Sequence, residues 1–282
     1  MSENAITFGT ADLTNCDRED IHIPGSIQPH GALLVLEPDS LRVVQAGGAL
    51  ESLLGTSPSE LLGTALTRWL TDSEIDKISA AAKSTAGLLR PKHLFTRTSE
   101  STNQRTDWVI HGSDGFLVLE LEPQIEREPE DMLATVQAMT RLVQEAKSIA
   151  GAHQAIVDGV RSESGFDRVM LYRFLSDGSS LVEAEARSAS VEAYLGLRYP
   201  ASDIPQQARA LYLRNWTRLI GNARYTPAPL LALTGEPTSR PIDLSQPATR
   251  CAGPKGWAFA RLRRSSAMPA RSQRMAAKGL VA

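Results

Sequence analysis

The chain has 282 residues, 42% apolar and 22% charged, which are the proportions of a soluble globular protein with room for two cored domains. Its formal charge of −2 hides a split, because Arg250 to Ala282 carries eight Lys or Arg and no acid, leaving −10 on the 249 residues before it. No run reaches the ~18 apolar residues that span a bilayer, and the polar start MSENAITFGT is no signal peptide. A cytoplasmic protein is the expectation. Cys16 and Cys251 lie far apart and suit separate thiols better than a disulfide or a zinc site.

In chain order, the polar stretch LTNCDREDIHIPGS reads as extended chain with a Pro-Gly turn. HGALLVLEP is an apolar run bounded by turn residues, hence a buried strand, and SLRVVQAGG is its hairpin partner. LESLLGTSPSELLG predicts two short helical pieces broken at Gly55, the second capped at Ser57. DSEIDKISAAAKS predicts a helix, and HLFTRT, TDWVIHGSDG and FLVLELEP three strands. PEDMLATVQAMTRLVQEAKSIAG places Met132, Val136, Met139, Val143 and Ala146 on one stripe, so one long amphipathic helix is expected from Pro129 to a stop at Gly151. A second helix in AHQAIVDGVRSESG then leads to a hairpin, FDRVMLYRFL and SLVEAEARS around Ser176-Asp177-Gly178-Ser179.

LGLRYPASDIPQQARALYLRN combines an extended lead-in with a helix whose face carries Ile204, Ala208, Leu211 and Tyr212. Asp203 has the chemistry of its N-cap, with Gln206 three positions on and Pro205 in the first turn. Tyr225 to Pro247 holds five of the sixteen prolines and reads as a long structureless excursion. The fold class is α+β: an extension over 1–25, a sheet domain over 26–125, a linker helix and second domain over 126–250, and a basic tail over 251–282. The sheet domain is expected to stand alone.

Three stretches, CDREDIHIPGSIQPHGALLVLE, FDRVMLYRF and LGLRYPASDIPQQARALYLRN, together resemble the PAS–GAF photosensory core of bacterial phytochromes, in that family's order and spacing over roughly residues 10 to 250. The resemblance implies a PAS domain followed by a GAF domain that holds a linear tetrapyrrole, biliverdin in bacterial members. It implies a thioether to Cys16, and an N-terminal segment threaded through a GAF lasso formed by the Tyr225–Pro247 excursion, with Ile21 and Ile23 as plugs. Carried over residue by residue, it puts Tyr172 and Tyr199 at the rotating pyrrole ring and the Asp203 carbonyl at the pyrrole nitrogens. It stacks Ile204 and Pro205 on the ring plane, and sets Tyr212, Arg218 and Arg250 near a propionate. A planar dianionic pigment suits aromatic and apolar walls with Arg forks at its carboxylates.

The resemblance ends after IDLSQPATR. Gly256 and Phe259 stand where the family has a pocket histidine and tyrosine, and the last GAF strands, the PHY domain and an output module have no counterpart. A shifted reading frame in a GC-rich gene would produce such an acid-free tail. Two functional expectations follow: a red/far-red photoreceptor fragment in sensory transduction, or a non-photoactive PAS/GAF interaction or dimerisation module, the remnant of a disrupted receptor. Neither is an enzyme, since no phosphate loop, serine elbow or kinase motif occurs. A homodimer through the linker or GAF helices is the expected partner, with no nucleic acid, no membrane and no metal; His22, His30 and His153 read as structural.

Overall fold

A computed structural model describes residues 20–83, 91–124, 129–204, 206–214, 219–222, 224–235 and 240–245. Its strands are β1 (Ser26–Ile27), β2 (Ala32–Leu36), β3 (Val43–Gly48), β4 (Lys92–Thr98), β5 (Arg105–Ser113), β6 (Phe116–Pro123), β7 (Arg168–Phe174), β8 (Ser180–Arg187), β9 (Arg198–Tyr199) and β10 (Ala228–Ala232). The helices are α1 (Leu50–Leu54), α2 (Pro58–Leu61), α3 (Asp72–Ala82), α4 (Pro129–Gln144), α5 (Ile149–Ser164) and α6 (Gln206–Arg214). The described residues fall into two units, one from 20–124 and 219–245, the other from 129–214.

The first unit is a seven-stranded antiparallel sheet in the order β1-β10-β3-β2-β6-β5-β4. The ALLVL of β2 is apolar at every position because both faces of this strand are covered. Ala32, Leu34 and Leu36 join Trp108, Leu119 and the buried residues of α1 to α3, while Leu33 and Val35 enter a second core on the opposite face. Trp108 is fully buried, donates to Thr106 Oγ1 at 3.1 Å and stacks on Phe95. Two capping boxes start α2 and α3, Ser57 with Glu60 and Thr71 with Glu74.

The sheet unit is not built from residues 26–125 alone. Ile242 and Leu244, from far along the chain, complete the second core with Ile27, Leu33, Val35, Val44 and Val118. Their segment is tied down by Gln45, whose Nε2 donates to the Arg240 carbonyl at 2.7 Å, and by Ser113, whose Oγ donates to the Asp243 carbonyl at 2.6 Å. The excursion is not structureless either. Its APLLA forms β10, which pairs with β1 on one side and β3 on the other. It approaches β3 so closely that a Cβ on Gly47 would run into the Pro229 carbonyl oxygen. Residues 20–27 bond to both arms of the excursion: the Leu230 amide donates to the Gly25 carbonyl at 3.0 Å, and the Leu244 amide to the His22 carbonyl at 2.7 Å. Ile21 is buried there and Ile23 half-buried. Residues 236–239, which join the arms, lie outside the described residues.

In the second unit α5 packs on the three-stranded sheet β7-β8-β9, burying Val157 against Val169, Leu171, Ala184 and Ala186. The two expected helices are present, but the break between them lies upstream of Gly151. α4 ends at Gln144, and Ser148, in extended conformation, caps α5 by accepting from the Gly151 amide at 3.0 Å. Gly151 is therefore inside the first turn of α5 rather than a stop. Of the expected stripe, Met139, Val143 and Ala146 are half-buried, Met139 in the space left by the missing side chain of Gly159. Met132 and Val136 stay 53% and 60% exposed.

Candidate functional site

The site is assembled by the strand–turn segments on the face of the β7-β8 hairpin opposite α5. β7 alternates, so Val169 and Leu171 enter the α5 core while Tyr172 points to the other side. A β-bulge falls between Leu171 and Tyr172: Leu171 pairs with Ala184 but Tyr172 with Val182. Bulges bend a strand and re-aim the adjacent side chain. Opposite Tyr172 is Tyr199, carried by β9, which pairs with the start of β8. The two rings lie 5.7 Å apart at 43°, and Tyr194 adds a third ring 6.4 Å from Tyr199.

The Tyr172 hydroxyl is buried and makes no well-formed hydrogen bond. Burial above all raises its pKa, with further increments from the neighbouring Tyr199 and Tyr194 and from the negative charge of Asp203. Burial also raises Tyr199, again with a contribution from Asp203. Asp203 ends the turn that directly follows β9 and its Tyr199.

The loop holding Tyr194 is anchored from below. Arg168 and Glu185 form an ion pair at 2.9 Å with side chains only 4% and 3% exposed. The second Glu185 oxygen accepts from the amides of Tyr194 at 2.8 Å and Leu195 at 3.0 Å. The Arg168 guanidinium lies 3.7 Å from the Tyr194 ring centroid. Sequence pattern does not single out Tyr194, Arg168 or Glu185; in SLVEAEARS the buried alternation falls on Val182, Ala184 and Ala186, and Glu185 takes the opposite face.

Asp203 does not cap α6. Ala201–Asp203 forms a single 3-10 turn, the Asp203 amide donating to the Pro200 carbonyl at 3.1 Å, and Ile204 is extended at φ −128°, ψ 95°. A residue before proline is driven out of the helical region, so Ile204 breaks the chain away and α6 starts at Gln206. Ile204 is thereby off the predicted helical face, where Ala208 and Leu211 are buried and Tyr212 is half-buried. Cys16, Pro205, Arg218 and Arg250 lie outside the described residues, as do Gly256, Phe259 and the basic tail.

Among the described residues no His, Cys, Asp and Glu group of three or more is arranged to hold a metal, and no helix is long and apolar enough to cross a membrane. An aromatic wall around a buried hydroxyl with no well-formed hydrogen bond fits a flat, conjugated ligand bearing polar atoms.

Comparison with known proteins agrees in kind. Residues 16–124 match the PAS fold family. The chain is 36% identical over 260 residues to cyanobacterial phytochrome B of Nostoc sp., covering 90% of this chain and 34% of that protein. It is 39% identical over 249 residues to a bacteriophytochrome of Xanthomonas campestris pv. campestris, covering 86% and 38%. The chain thus spans a little over a third of the length of these relatives. Among solved structures, the chromophore binding domain of Stigmatella aurantiaca phytochrome P1 matches at 36% identity and a TM-score of 0.77, over 89% of this chain and 82% of that one. The photosensory core module of the same organism's phytochrome matches at 35% identity and a TM-score of 0.78, over 96% and 56%. The α+β architecture and these matches together assign the chain to the phytochrome family, over its PAS–GAF photosensory region.

Proposed function

We propose that this chain is the pigment-binding part of a red/far-red photoreceptor, taking a linear tetrapyrrole, biliverdin, in its GAF unit. The observation that carries the proposal is the buried Tyr172 hydroxyl, without a well-formed hydrogen bond and walled by Tyr199 and Tyr194. Bound biliverdin would supply long-wavelength absorption and a photoisomerisable double bond. Tyr172 and Tyr199 would flank it, with Asp203, Ile204 and Pro205 against the ring plane and Tyr212, Arg218 and Arg250 toward a propionate. Cys16 would hold it by a thioether, a role that needs an accessible, partly ionised thiol. The role so proposed is binding and signalling rather than turnover, in a cytoplasmic setting. Domain limits of 26–125 for PAS and 126–250 for the linker helix and GAF part go with this proposal.

The test is co-expression with a heme oxygenase, followed by zinc-induced fluorescence on a denaturing gel and an absorption spectrum, with Cys16→Ser alongside. A fluorescent band lost in the variant, with far-red absorption, supports the proposal; a colourless protein from a productive strain sinks it.

A second function, an interaction or dimerisation module without pigment, is favoured by the apolar side chains that α4 and the start of α5 leave exposed: Met132, Leu133, Val136, Leu142 and Ile149. A homodimer through these helices would cover them. Sedimentation of the colourless protein decides it: a dimer that Val136→Glu dissociates supports this function, and a monomer rejects it.

A further inference from the structure

The turn that carries Asp203 has little packing of its own. None of Ala201, Ser202 and Asp203 is buried, and Ile204 is half-buried in extended conformation. A three-residue 3-10 turn closed by one backbone bond from Asp203 to Pro200 is a weak local structure. Yet its geometry decides where the Asp203 carbonyl and the Ile204 side chain point.

Arg209, on α6, closes over this turn. Its Nε donates to the Ile204 carbonyl at 2.8 Å and its Nη2 to the Ala201 carbonyl at 2.9 Å. The two acceptors flank Ser202 and Asp203, so a single rigid fork fixes both ends of the segment between them. The same guanidinium lies 5.3 Å from the Phe174 ring centroid at the end of β7. It also fills the space above Gly178 in the β7-β8 turn, where a Cβ would sit 3.2 Å from Nη1 and 3.3 Å from the Ala201 Cβ. Gly178 has φ +80°, so glycine serves here both the turn and the close approach of Arg209. One side chain thus joins three segments: the hairpin end, the Asp203 turn and α6.

We propose that Arg209 is a positioning residue of the pigment site, holding the Asp203 turn in place against the β7-β8 hairpin without touching pigment itself. This rests on the pigment-binding function proposed above. Arg209 sets the aim of the Asp203 carbonyl, whereas Tyr172, Tyr199 and Tyr194 supply the wall. A lysine cannot replace it, because an ammonium offers a point charge where two carbonyls need a planar fork.

The test uses the full chain with Arg209→Ala and Arg209→Lys, first without pigment. Millisecond amide exchange is followed at Asp203, at β7 and along α6. In Arg209→Ala the Asp203 amide exchanges about tenfold faster or more, while β7 and α6 amides stay within about twofold of the parent. Arg209→Lys falls between parent and Arg209→Ala. Unchanged exchange at Asp203 overturns the proposal, and so does equal acceleration at β7 and α6, which would mark a merely structural role. The biliverdin-loaded forms are then compared: in the variants the zinc-fluorescent band persists while the long-wavelength absorption broadens and shifts. A retained band with an unaltered spectrum also overturns it. If the parent chain itself is colourless, the pigment-binding function fails, and the exchange measurement still decides the positioning role.

Discussion

Arg168 and Glu185 meet at 2.9 Å under a loop that neither belongs to. Glu185 accepts two amides of that loop, and Arg168 donates to the Glu192 carbonyl while lying against the Tyr194 ring. The pair converts a hairpin into a platform: it holds the 192–195 segment down, and β9 follows with Tyr199 in place. Breaking a buried pair by removing one partner costs about 3–5 kcal/mol, because the other charge is stranded. Glu185→Ala is therefore expected to destabilise the second unit by that amount in urea unfolding, while the amides of β2 and β6 in the first unit keep their exchange rates. A loss under 1 kcal/mol would mean that the pair is not the anchor.

The second core of the first unit depends on residues more than a hundred positions downstream. Leu244 is 2% exposed among Ile27, Val35, Val44 and Val118. Leu244→Ala should cost about 2–5 kcal/mol, the usual price of a cavity at a fully packed leucine. Leu231, on β10 but 43% exposed, makes the internal control, and Leu231→Ala should stay below about 1 kcal/mol. Exchange of β2 and β6 amides reads both. Equal effects would show that the 240–245 segment rests on the sheet without stabilising it.

These two results separate what was legible in the sequence from what was not. Local pattern carried the strands and short helices of the first unit, where alternation and capping boxes act within a few residues of each other: Ser57 with Glu60, HGALLVLEP bounded by its turns. Contacts across long separations were illegible. APLLA looks like loop among prolines until β1 and β3 are there to pair with it, and nothing within SLRVVQAGG shows that Pro229 passes over Gly47. Competing local rules misled at two points. Asp203 satisfied the rule for a cap, but Pro205 forced Ile204 extended and moved the helix start to Gln206. Gly151 satisfied the rule for a stop, but Ser148 upstream had already begun a new helix. At the site, motif resemblance singled out Tyr172, Tyr199 and Asp203; it had no means of finding Arg209 or Glu185, whose roles are bonds to backbone rather than to ligand.

Acid should weaken the first unit through Glu37. Hydrogen bonds from Arg42 and Ser40 pull its carboxyl from 4.5 down to about 2. A carboxyl depressed in the folded state stabilises above its unfolded value, and that contribution disappears as pH falls from about 4.5 through about 2. The side chains are about a third exposed, so the contribution is held to about 1 kcal/mol or less by solvent screening. Glu37→Gln should flatten that part of the pH–stability curve and leave the curve at pH 7 lower by the same amount. An unchanged acid limb in the variant would assign the acid sensitivity elsewhere.

Tyr172 offers the opposite limb. Its phenol is raised well above the ordinary value of 10.0, chiefly by burial. The unfolded chain therefore releases this proton near pH 10 while the folded chain keeps it, so the stabilisation is full below 10 and is lost as pH rises beyond it. A spectrophotometric titration of the native, pigment-free protein should show Tyr172 ionising after the exposed tyrosines, with the late step absent in Tyr172→Phe. The same variant removes a buried hydroxyl that makes no well-formed hydrogen bond. An unsatisfied buried polar group costs about 1–3 kcal/mol, so Tyr172→Phe should leave the pigment-free protein as stable as the parent or stabilise it by about 1 kcal/mol. Most tyrosines that lose a buried hydroxyl lose stability with it. A gain here, paired with weaker or spectrally altered capture of biliverdin, would show that the hydroxyl is kept at a cost to the empty fold because the ligand uses it. A loss of stability with unaltered capture would make Tyr172 an ordinary core residue.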